Sequence, residues 1–370
     1  MKIGIVVEPY EEESESGIAL CIREEILGLP KLLARNDFTL YSRRAIKKEW
    51  LAKNAANVIV SGSLLGKILW FWRRYFFDRT SLPDVLLFNM PLLPLVLPKC
   101  IKTIPVFYEL IYETPGIKSL ERRLSILIER LFAPIAVTRA SHVITPSAGS
   151  YSDISREYKI PAHKISRVYL GYQPVPEVDE GEVSKDLLSL NGTSFFLFVG
   201  KVKYKKNLHG MIEAFIRFRQ DKARKDKFVI VGDYGGEYYA SLVSLLTKTG
   251  LKQDVLFVGY RSGQDRAFLY RRANALFFCT LQEGFGMPVI EAMSIGVPVL
   301  TSDIAPMNEI ACGAAVLADP LSVSAMAGSL EKLCSNEDNR TRLVEDGKKV
   351  AQKYSWGTHN QEISRIINEL

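Results

Sequence analysis

Cysteine and histidine are scarce in this chain of 370 residues, which has five cysteines and four histidines. The cysteines are scattered, with no CxxC pair and no histidine cluster beside them. This argues against a disulfide framework or a zinc site and indicates a reducing compartment, so we expect a cytoplasmic protein. The cysteines are Cys21, Cys100, Cys279, Cys312 and Cys334.

Long apolar runs are also missing. The most apolar window, residues 85–98, is broken by prolines and falls short of the roughly 20 uninterrupted apolar residues that a membrane-spanning helix needs. The opening MKIGIVVEPY predicts a first strand and lacks the pattern of a signal peptide. The acidic stretch after that strand contains no GxGxxG motif, which disfavours a dinucleotide-dependent dehydrogenase.

Positive charge is unevenly distributed. The net charge is +7, and all of the excess lies in residues 1–172, because residues 173–370 carry as many basic as acidic side chains. The excess is spread through one half without a recognised nucleic-acid-binding motif, so nucleic acid is not an expected partner.

Short apolar strands alternate with amphipathic helices along both halves. This alternation predicts an α/β protein with parallel sheets covered on both faces. Helices are expected over residues 18–33, 120–132 and 358–370. The expected strands are residues 3–7, 58–61, 85–88, 104–108 and 142–145 in the first half, and 195–199, 228–231, 255–258, 275–280, 298–301 and 314–317 in the second.

The composition changes between the halves. Residues 173–194 contain Pro174, Pro176, a group of acidic residues and Asn191-Gly192, which is typical of a linker. We therefore predict two doubly wound domains, residues 1–172 and 195–355. Ligands bind beyond the carboxyl ends of the strands in such sheets, and we expect two such edges to face each other across a central cleft.

A basic loop follows the strand FFLFV. Gly200 lets a ligand approach the backbone, and Lys201, Lys206 and their neighbours supply ammonium groups before a helix that begins near Leu208. Free N–H groups at the helix start and these cations suit a diphosphate. A basic loop that is merely solvated is the alternative.

The segment TLQEGFGMPVIEAMSIGVPVLTSD is more specific. A strand ends, a glycine-bearing turn follows, Pro288 begins a short helix and Gly296 ends it. Glu283 in the turn and Glu291 in the helix could accept hydrogen bonds from vicinal sugar hydroxyls. Taken alone, Glu291 could instead be an acid that stabilises the helix dipole.

This segment resembles the Glu-x7-Glu signature of retaining glycosyltransferases of family 4, which have the two-domain GT-B fold. The resemblance extends to GKVKYKKN, which is similar to the family's donor-diphosphate loop. It also covers SWGTHNQEISRIINEL, similar to the terminal helix that crosses back to the first domain. In the first half it is looser and rests on SGIALCIREEI, PVFYELIYETPG and SHVITPSAGS. It implies that residues 1–172 with 356–370 bind the acceptor and residues 195–355 bind a nucleotide-sugar donor.

The resemblance also implies roles for individual residues. Lys201 and Lys206 would hold the donor diphosphate, Glu283 and the turn after it the transferred sugar, and Glu291 the ribose, with Lys201, Lys206 and Glu283 as catalytic residues. Where the family often has His-Asp facing the sugar, this chain has Tyr108-Glu109. The implied donor-binding residues are Gly17, Gly200, Lys201, Lys206, Glu283, Gly284, Phe285, Gly286, Met287 and Glu291.

The implied activity is retaining transfer of a hexose to a saccharide or lipid-linked saccharide in surface polysaccharide or glycan assembly. Mannose from GDP-mannose is the leading expectation, and UDP-linked glucose, galactose or N-acetylglucosamine is the next. The sequence has no Asp-x-Asp motif, so we expect no metal requirement and no cofactor. A nucleotide-sugar epimerase with the GT-B fold and a catalytically silent partner subunit remain alternatives.

Residues 67–77, KILWFWRRYFF, interleave aromatic and basic side chains. Trp70, Trp72, Arg73 and Arg74 would suit an anionic membrane surface, so a peripheral position on the inner face of a membrane is a hypothesis. The alternative is a helix whose aromatic residues fill the core beside the sheet.

Overall fold

The computed structural model describes residues 1–7, 17–42, 45–59, 82–89, 97–110, 120–220, 224–261 and 263–370. Within these ranges, no helix has the length and apolar composition needed to cross a bilayer. The chain divides into two compact units, Met1–Gly171 with Ser355–Leu370, and Tyr172–Tyr354. The proposed membrane-contact residues Trp70, Trp72, Arg73 and Arg74 lie outside the described residues.

The first unit is built on a five-stranded parallel sheet in the order β3-β2-β1-β4-β5. A second, two-stranded sheet pairs β6 with β7, and a single bridge between Val106 and Ile144 lies between the two sheets. Inward side chains of β1 and β4 are almost fully buried, as expected for strands covered on both faces. The strands are β1 (Lys2–Val6), β2 (Asp37–Ser42), β3 (Ala55–Ile59), β4 (Val85–Phe88), β5 (Lys102–Pro105), β6 (Val143–Thr145) and β7 (Ile165–Arg167).

Among the described residues before 171, the first unit has three α-helices: α1 (Gly17–Leu32), α2 (Leu120–Arg139) and α3 (Ala148–Tyr158). The predicted first helix is confirmed within a residue at each end. The helix expected at 120–132 continues to Arg139. Ser147 caps α3, since its side chain accepts the Ser150 N–H at 3.1 Å.

The second unit has a six-stranded parallel sheet in the order β10-β9-β8-β11-β12-β13. The order reverses between β8 and β11, which is the switch point where doubly wound sheets bind ligands. Phe195, Phe196 and Phe198 of β8 are fully buried, so this central strand is covered on both faces. The strands are β8 (Phe195–Val199), β9 (Lys227–Val231), β10 (Val255–Gly259), β11 (Ala275–Phe278), β12 (Val299–Ser302) and β13 (Val316–Ala318).

The helices of the second unit cover its sheet and confirm the predicted doubly wound α/β class. They are α4 (Lys185–Leu188), α5 (Leu208–Phe218), α6 (Gly236–Thr249), α7 (Gly263–Arg272), α8 (Met287–Ser294), α9 (Met307–Ala311), α10 (Val323–Ser335) and α11 (Glu337–Ala351). α10 packs beside α5, and α11 packs beside α8.

The last helix, α12 (Trp356–Glu369), belongs to the first unit and packs along α1. Ile363, Ile366 and Ile367 are buried in the same cluster as the first strands. The Asn360 amide donates to the Glu24 carbonyl oxygen at 3.1 Å. Gly28 is required opposite it, because a Cβ there would lie 2.1 Å from the Asn360 Nδ2 atom.

Residues 173–194, which we predicted to be a linker, are placed in the second unit. Both the backbone N–H and the hydroxyl of Ser184 donate to the Asp265 carboxylate of α7, each at 2.7 Å. The Arg271 guanidinium donates to the Pro176 carbonyl oxygen at 3.0 Å. The segment whose composition suggested a linker is therefore hydrogen bonded to α7.

Candidate active site

The loops after β8 and β9 run side by side at the carboxyl edge of the second sheet. The Gly200 N–H donates to the Val231 carbonyl oxygen at 2.8 Å, and the Val202 N–H donates to that of Asp233 at 2.9 Å. A Cβ on Gly232 would lie 2.1 Å from the Gly200 carbonyl oxygen. Only glycine therefore permits this close approach of the two loops.

Asn207 joins three loops at this edge. It has a left-handed conformation with φ +57° and precedes α5. Its buried side-chain amide donates to the carbonyl oxygens of Cys279, after β11, at 3.0 Å and Pro320, after β13, at 2.7 Å. The role of Asn207 could not be predicted from the sequence, because its partners are distant in the chain. It fixes the basic loop against the neighbouring strand ends.

Lys206 and Glu283 form a salt bridge between the loops after β8 and β11. Their side chains are only 15% and 9% exposed, so the pair is largely shielded from solvent. The Lys206 ammonium also lies 5.5 Å from the centre of the Phe278 ring. The structure thus brings together two of the predicted catalytic residues, and it holds a cation and a carboxylate side by side at the switch point.

Lys201 is in a different environment. Its ammonium lies 3.2 Å from the Asp233 carboxylate, and the two side chains are 56% and 55% exposed. Water screens such a pair strongly, so the two partners constrain each other weakly. Lys201 can therefore move to meet an anion at lower cost than Lys206 can.

The backbone of the turn before α8 requires a glycine at position 286. Gly286 begins the helix with φ +109°, and a Cβ there would lie 2.4 Å from the Cε atom of Met307. Phe285 is buried, and its ring centre lies 5.7 Å from that of Tyr354. These contacts fix the turn that carries Glu283 and Gly284. Met287 is the first residue of α8.

Glu291 lies on α8 and is 6% exposed. Its carboxylate accepts a hydrogen bond from the Tyr270 hydroxyl of α7 at 2.7 Å. Burial and the adjacent Glu291 raise the pKa of Tyr270 well above its ordinary value, so the hydroxyl stays protonated and donates. Tyr270, which the sequence analysis did not single out, orients the second acid of the Glu-x7-Glu pair.

One backbone N–H group at the start of α5 already has a hydrogen-bond partner. The His209 N–H, which we expected to be available to an anion, donates to the Tyr238 hydroxyl at 3.1 Å. Burial raises the pKa of Tyr238, which keeps this hydroxyl neutral. An anion at this edge would therefore depend more on the lysine side chains than on that amide.

The remaining predicted residues lie in the first unit. Gly17 is the first residue of α1, and Glu109 is half-buried after β5. The Tyr108 hydroxyl donates to the Asn89 side-chain oxygen at 2.8 Å. Burial, together with Cys21 and Glu25, raises the pKa of Tyr108 well above its ordinary value. The hydroxyl thus points into a buried polar cluster, which the sequence analysis did not predict.

Comparison with known proteins agrees with this geometry. Residues 179–350 match the family model described as Glycosyl transferases group 1. The match covers most of the second unit, which is similar to this family. The matched residues include the whole Lys206–Glu283 region and the Tyr270–Glu291 pair, so the resemblance drawn from the Glu-x7-Glu segment is confirmed.

Curated relatives of the chain include two O-antigen enzymes. O-antigen chain mannosyltransferase B of Escherichia coli is 27% identical over 223 residues, which are 59% of this chain and 58% of that protein. O-antigen chain mannosyltransferase RfbU of Salmonella typhimurium is 29% identical over 192 residues, 52% of this chain and 50% of that protein. The matches span between half and three fifths of these relatives.

Solved glycosyltransferase structures match over the whole chain. HepE of Anabaena, in complex with UDP and glucose, matches with a TM-score of 0.73 at 18% identity. The match covers 100% of both chains. WaaG, a glycosyltransferase involved in lipopolysaccharide biosynthesis, has a TM-score of 0.72 at 16% identity, with 99% of each chain covered. The predicted GT-B fold is confirmed.

Proposed function

We propose that this protein is a retaining hexosyltransferase that moves mannose from GDP-mannose to a saccharide or lipid-linked saccharide acceptor during surface polysaccharide assembly. The observation that carries the proposal is the shielded Lys206–Glu283 pair between the ends of β8 and β11. The O-antigen mannosyltransferases among the relatives support mannose as the sugar and a growing glycan as the acceptor.

The Lys206–Glu283 pair matches the chemistry of a sugar phosphate. A phosphate oxygen accepts hydrogen bonds and carries negative charge, so it would bind the Lys206 ammonium. Sugar hydroxyls donate hydrogen bonds, so they would bind the Glu283 carboxylate. Because the pair is largely shielded from solvent, each interaction is stronger than it would be at an exposed site.

In the proposed reaction, the acceptor hydroxyl attacks the anomeric carbon on the face from which the diphosphate departs. The bond between this carbon and the phosphate oxygen breaks, the new glycosidic bond forms, and the acceptor proton passes to the departing diphosphate. The protein then has two main tasks, to stabilise the leaving anion and to position the substrates. Lys206 and Lys201 serve the first task without a metal ion.

Glu291 would accept hydrogen bonds from the ribose hydroxyls. Tyr270 supports this role because its hydroxyl holds the Glu291 carboxylate in one orientation at 2.7 Å. Because the carboxylate is already ordered, less side-chain conformational entropy would be lost when the ribose binds.

A UDP-hexose donor is the second candidate. HepE of Anabaena, whose fold this chain shares, was crystallised with UDP-glucose and with UDP and glucose. This observation concerns a structure at 18% identity, whereas the mannosyltransferase relatives are at 27% and 29%.

A donor panel tests the proposal. The purified protein is incubated with GDP-mannose, UDP-glucose, UDP-galactose or UDP-N-acetylglucosamine, with and without a short mannoside acceptor and with EDTA. We expect transfer from GDP-mannose with an α-linkage in the NMR spectrum, unchanged by EDTA. An inverted linkage would overturn retention, and transfer only from a UDP-sugar would overturn the donor. Conversion of the sugar without acceptor would indicate an epimerase.

A further inference from the structure

A buried cluster of metal-ligating side chains lies in the first unit. Cys21 and Glu25 are one turn apart on α1, and His359 comes from α12. The three residues are 0%, 0% and 2% exposed. The Cys21 Sγ atom lies 3.6 Å from Glu25 Oε1 and 3.9 Å from His359 Nε2, and the last two atoms are 3.3 Å apart.

The outer hydrogen bonds of the cluster fix which atoms face its centre. His359 Nδ1 lies 2.9 Å from the Tyr169 carbonyl oxygen, which can only accept, so this nitrogen carries a proton. Glu25 Oε2 accepts from the Asn89 amide at 2.7 Å. His359 Nε2 and Glu25 Oε1 therefore face each other, and two acceptors this close need either a shared proton or a metal cation between them.

We propose that this cation is a zinc ion bound by Cys21 Sγ, Glu25 Oε1 and His359 Nε2. Zinc bonds of about 2.0–2.3 Å at tetrahedral angles place their ligand atoms roughly 3.3–3.7 Å apart, close to the separations in the cluster. The Tyr108 hydroxyl lies beside the cluster, since it donates to the Asn89 side chain that holds Glu25.

The surroundings match those of known zinc ligands. A zinc-bound histidine usually donates its other ring N–H to a carbonyl or carboxylate, as His359 does to Tyr169, and ligating carboxylates are themselves hydrogen bonded, as Glu25 is by Asn89. A mixed sulfur, nitrogen and oxygen set suits zinc better than the hard cations magnesium or calcium.

The charges also balance. A divalent zinc ion with one thiolate, one carboxylate and one neutral imidazole gives a neutral site, which a dry interior tolerates best. Binding releases two protons, one from the Cys21 thiol and one shared by Glu25 and His359. The alternative to zinc is the single shared proton, which would also lie between His359 Nε2 and Glu25 Oε1.

Such a site would be structural. It would connect α1 to α12 across 338 residues of sequence, and its ligands meet only when α12 is docked. Metal binding of this kind contributes directly to folding. The sequence has no zinc-binding pattern at these residues because His359 is distant from Cys21 and Glu25 in the chain.

Metal analysis of the purified full-length protein, prepared without chelators, tests the proposal. Elemental mass spectrometry should find about one zinc per chain in the parent protein and in Cys334→Ser, whose cysteine is exposed. Cys21→Ser and His359→Gln should lose most of it. The chelator dipicolinate should lower the melting temperature of the parent protein but not of Cys21→Ser.

Cobalt gives an independent readout that needs no variant. The protein refolded with Co²⁺ should show the visible and near-ultraviolet absorption of a tetrahedral site with a thiolate ligand. A parent protein that contains no zinc and gives no such spectrum would overturn the proposal and leave the shared proton as the occupant. Zinc retained in full by Cys21→Ser would overturn it as well.

Discussion

At the scale of single residues, two lysines after the same strand have different surroundings. Lys206 is 15% exposed and paired with Glu283, whereas Lys201 is 56% exposed and paired with a carboxylate that is equally open to water. Electrostatic interactions are stronger where water is excluded. The leaving diphosphate should therefore depend far more on Lys206 than on Lys201.

Replacement of these lysines by alanine tests this difference. Lys206→Ala should lower kcat for transfer by about 10²–10³-fold, the usual cost of losing one well-placed group that stabilises developing negative charge. Lys201→Ala is the matched comparison and should lose about tenfold or less. Steady-state kinetics gives both values, and circular dichroism checks that the variants are folded. Equal losses in the two variants would contradict the assigned roles.

Asn207 shows what the sequence cannot reveal at this scale. Its type and position in KVKYKKN were visible, but its two carbonyl partners follow β11 and β13, which are distant in the chain. Glu283 and Glu291 could be predicted because both lie in one short segment. Residues that act within one local segment can be predicted from the sequence. Residues that join several loops can be identified only when the fold is known.

At the scale of elements, prediction succeeded where strands are buried on both faces. All six strands of the second unit were predicted within two residues, because short continuous apolar runs bounded by glycine or aspartate, such as Phe195–Val199, are typical of strands buried on both faces. Two strands of the first unit were not predicted. β2 has the sequence DFTLYS, in which polar residues interrupt the apolar ones, and β7 is only three residues long.

The predicted linker segment is hydrogen bonded to α7 through Ser184 and Asp265. Burial alone would raise the pKa of Asp265, but hydrogen bonds from Ser184 and the Arg261 guanidinium outweigh it and lower the pKa below its ordinary value of 3.8. Because the pKa of Asp265 is lowered in the folded state, its ionised carboxylate stabilises that state at pH values above 3.8. This contribution is lost as the pH falls through the lowered pKa. The segment should thus be held to α7 at neutral pH.

Asp265→Asn tests this attachment. The variant should lose about 1–3 kcal/mol of unfolding free energy at pH 7, because two hydrogen-bond donors of Ser184 and the Arg261 cation lose their charged partner. The deficit should shrink as the pH is lowered below 3.8, where the parent protein also loses the contribution. Urea denaturation at several pH values measures it. A deficit that is constant down to pH 3 would refute the explanation.

At the scale of the whole molecule, the chain leaves the first unit at Gly171 and returns to it at Ser355. The terminal helix α12 could be predicted from its amphipathic pattern, and its return to the first domain followed from the family resemblance. Its partner surface on α1, with Gly28 opposite Asn360, could not be predicted, because nothing in either segment specifies the other. The completion of the first unit thus depends on the last residues of the chain.

Calorimetry of two variants in α12 tests this division. Ile367 is fully buried in the first unit, so Ile367→Ala should cost about 2–5 kcal/mol and lower the melting temperature of one unfolding transition. Arg365→Ala, at a side chain 55% exposed, is the control and should leave both transitions close to those of the parent. GDP should raise the other transition, because a ligand stabilises the unit that binds it. If Ile367→Ala and GDP act on one indivisible transition, the two units unfold together and the division has no thermodynamic meaning.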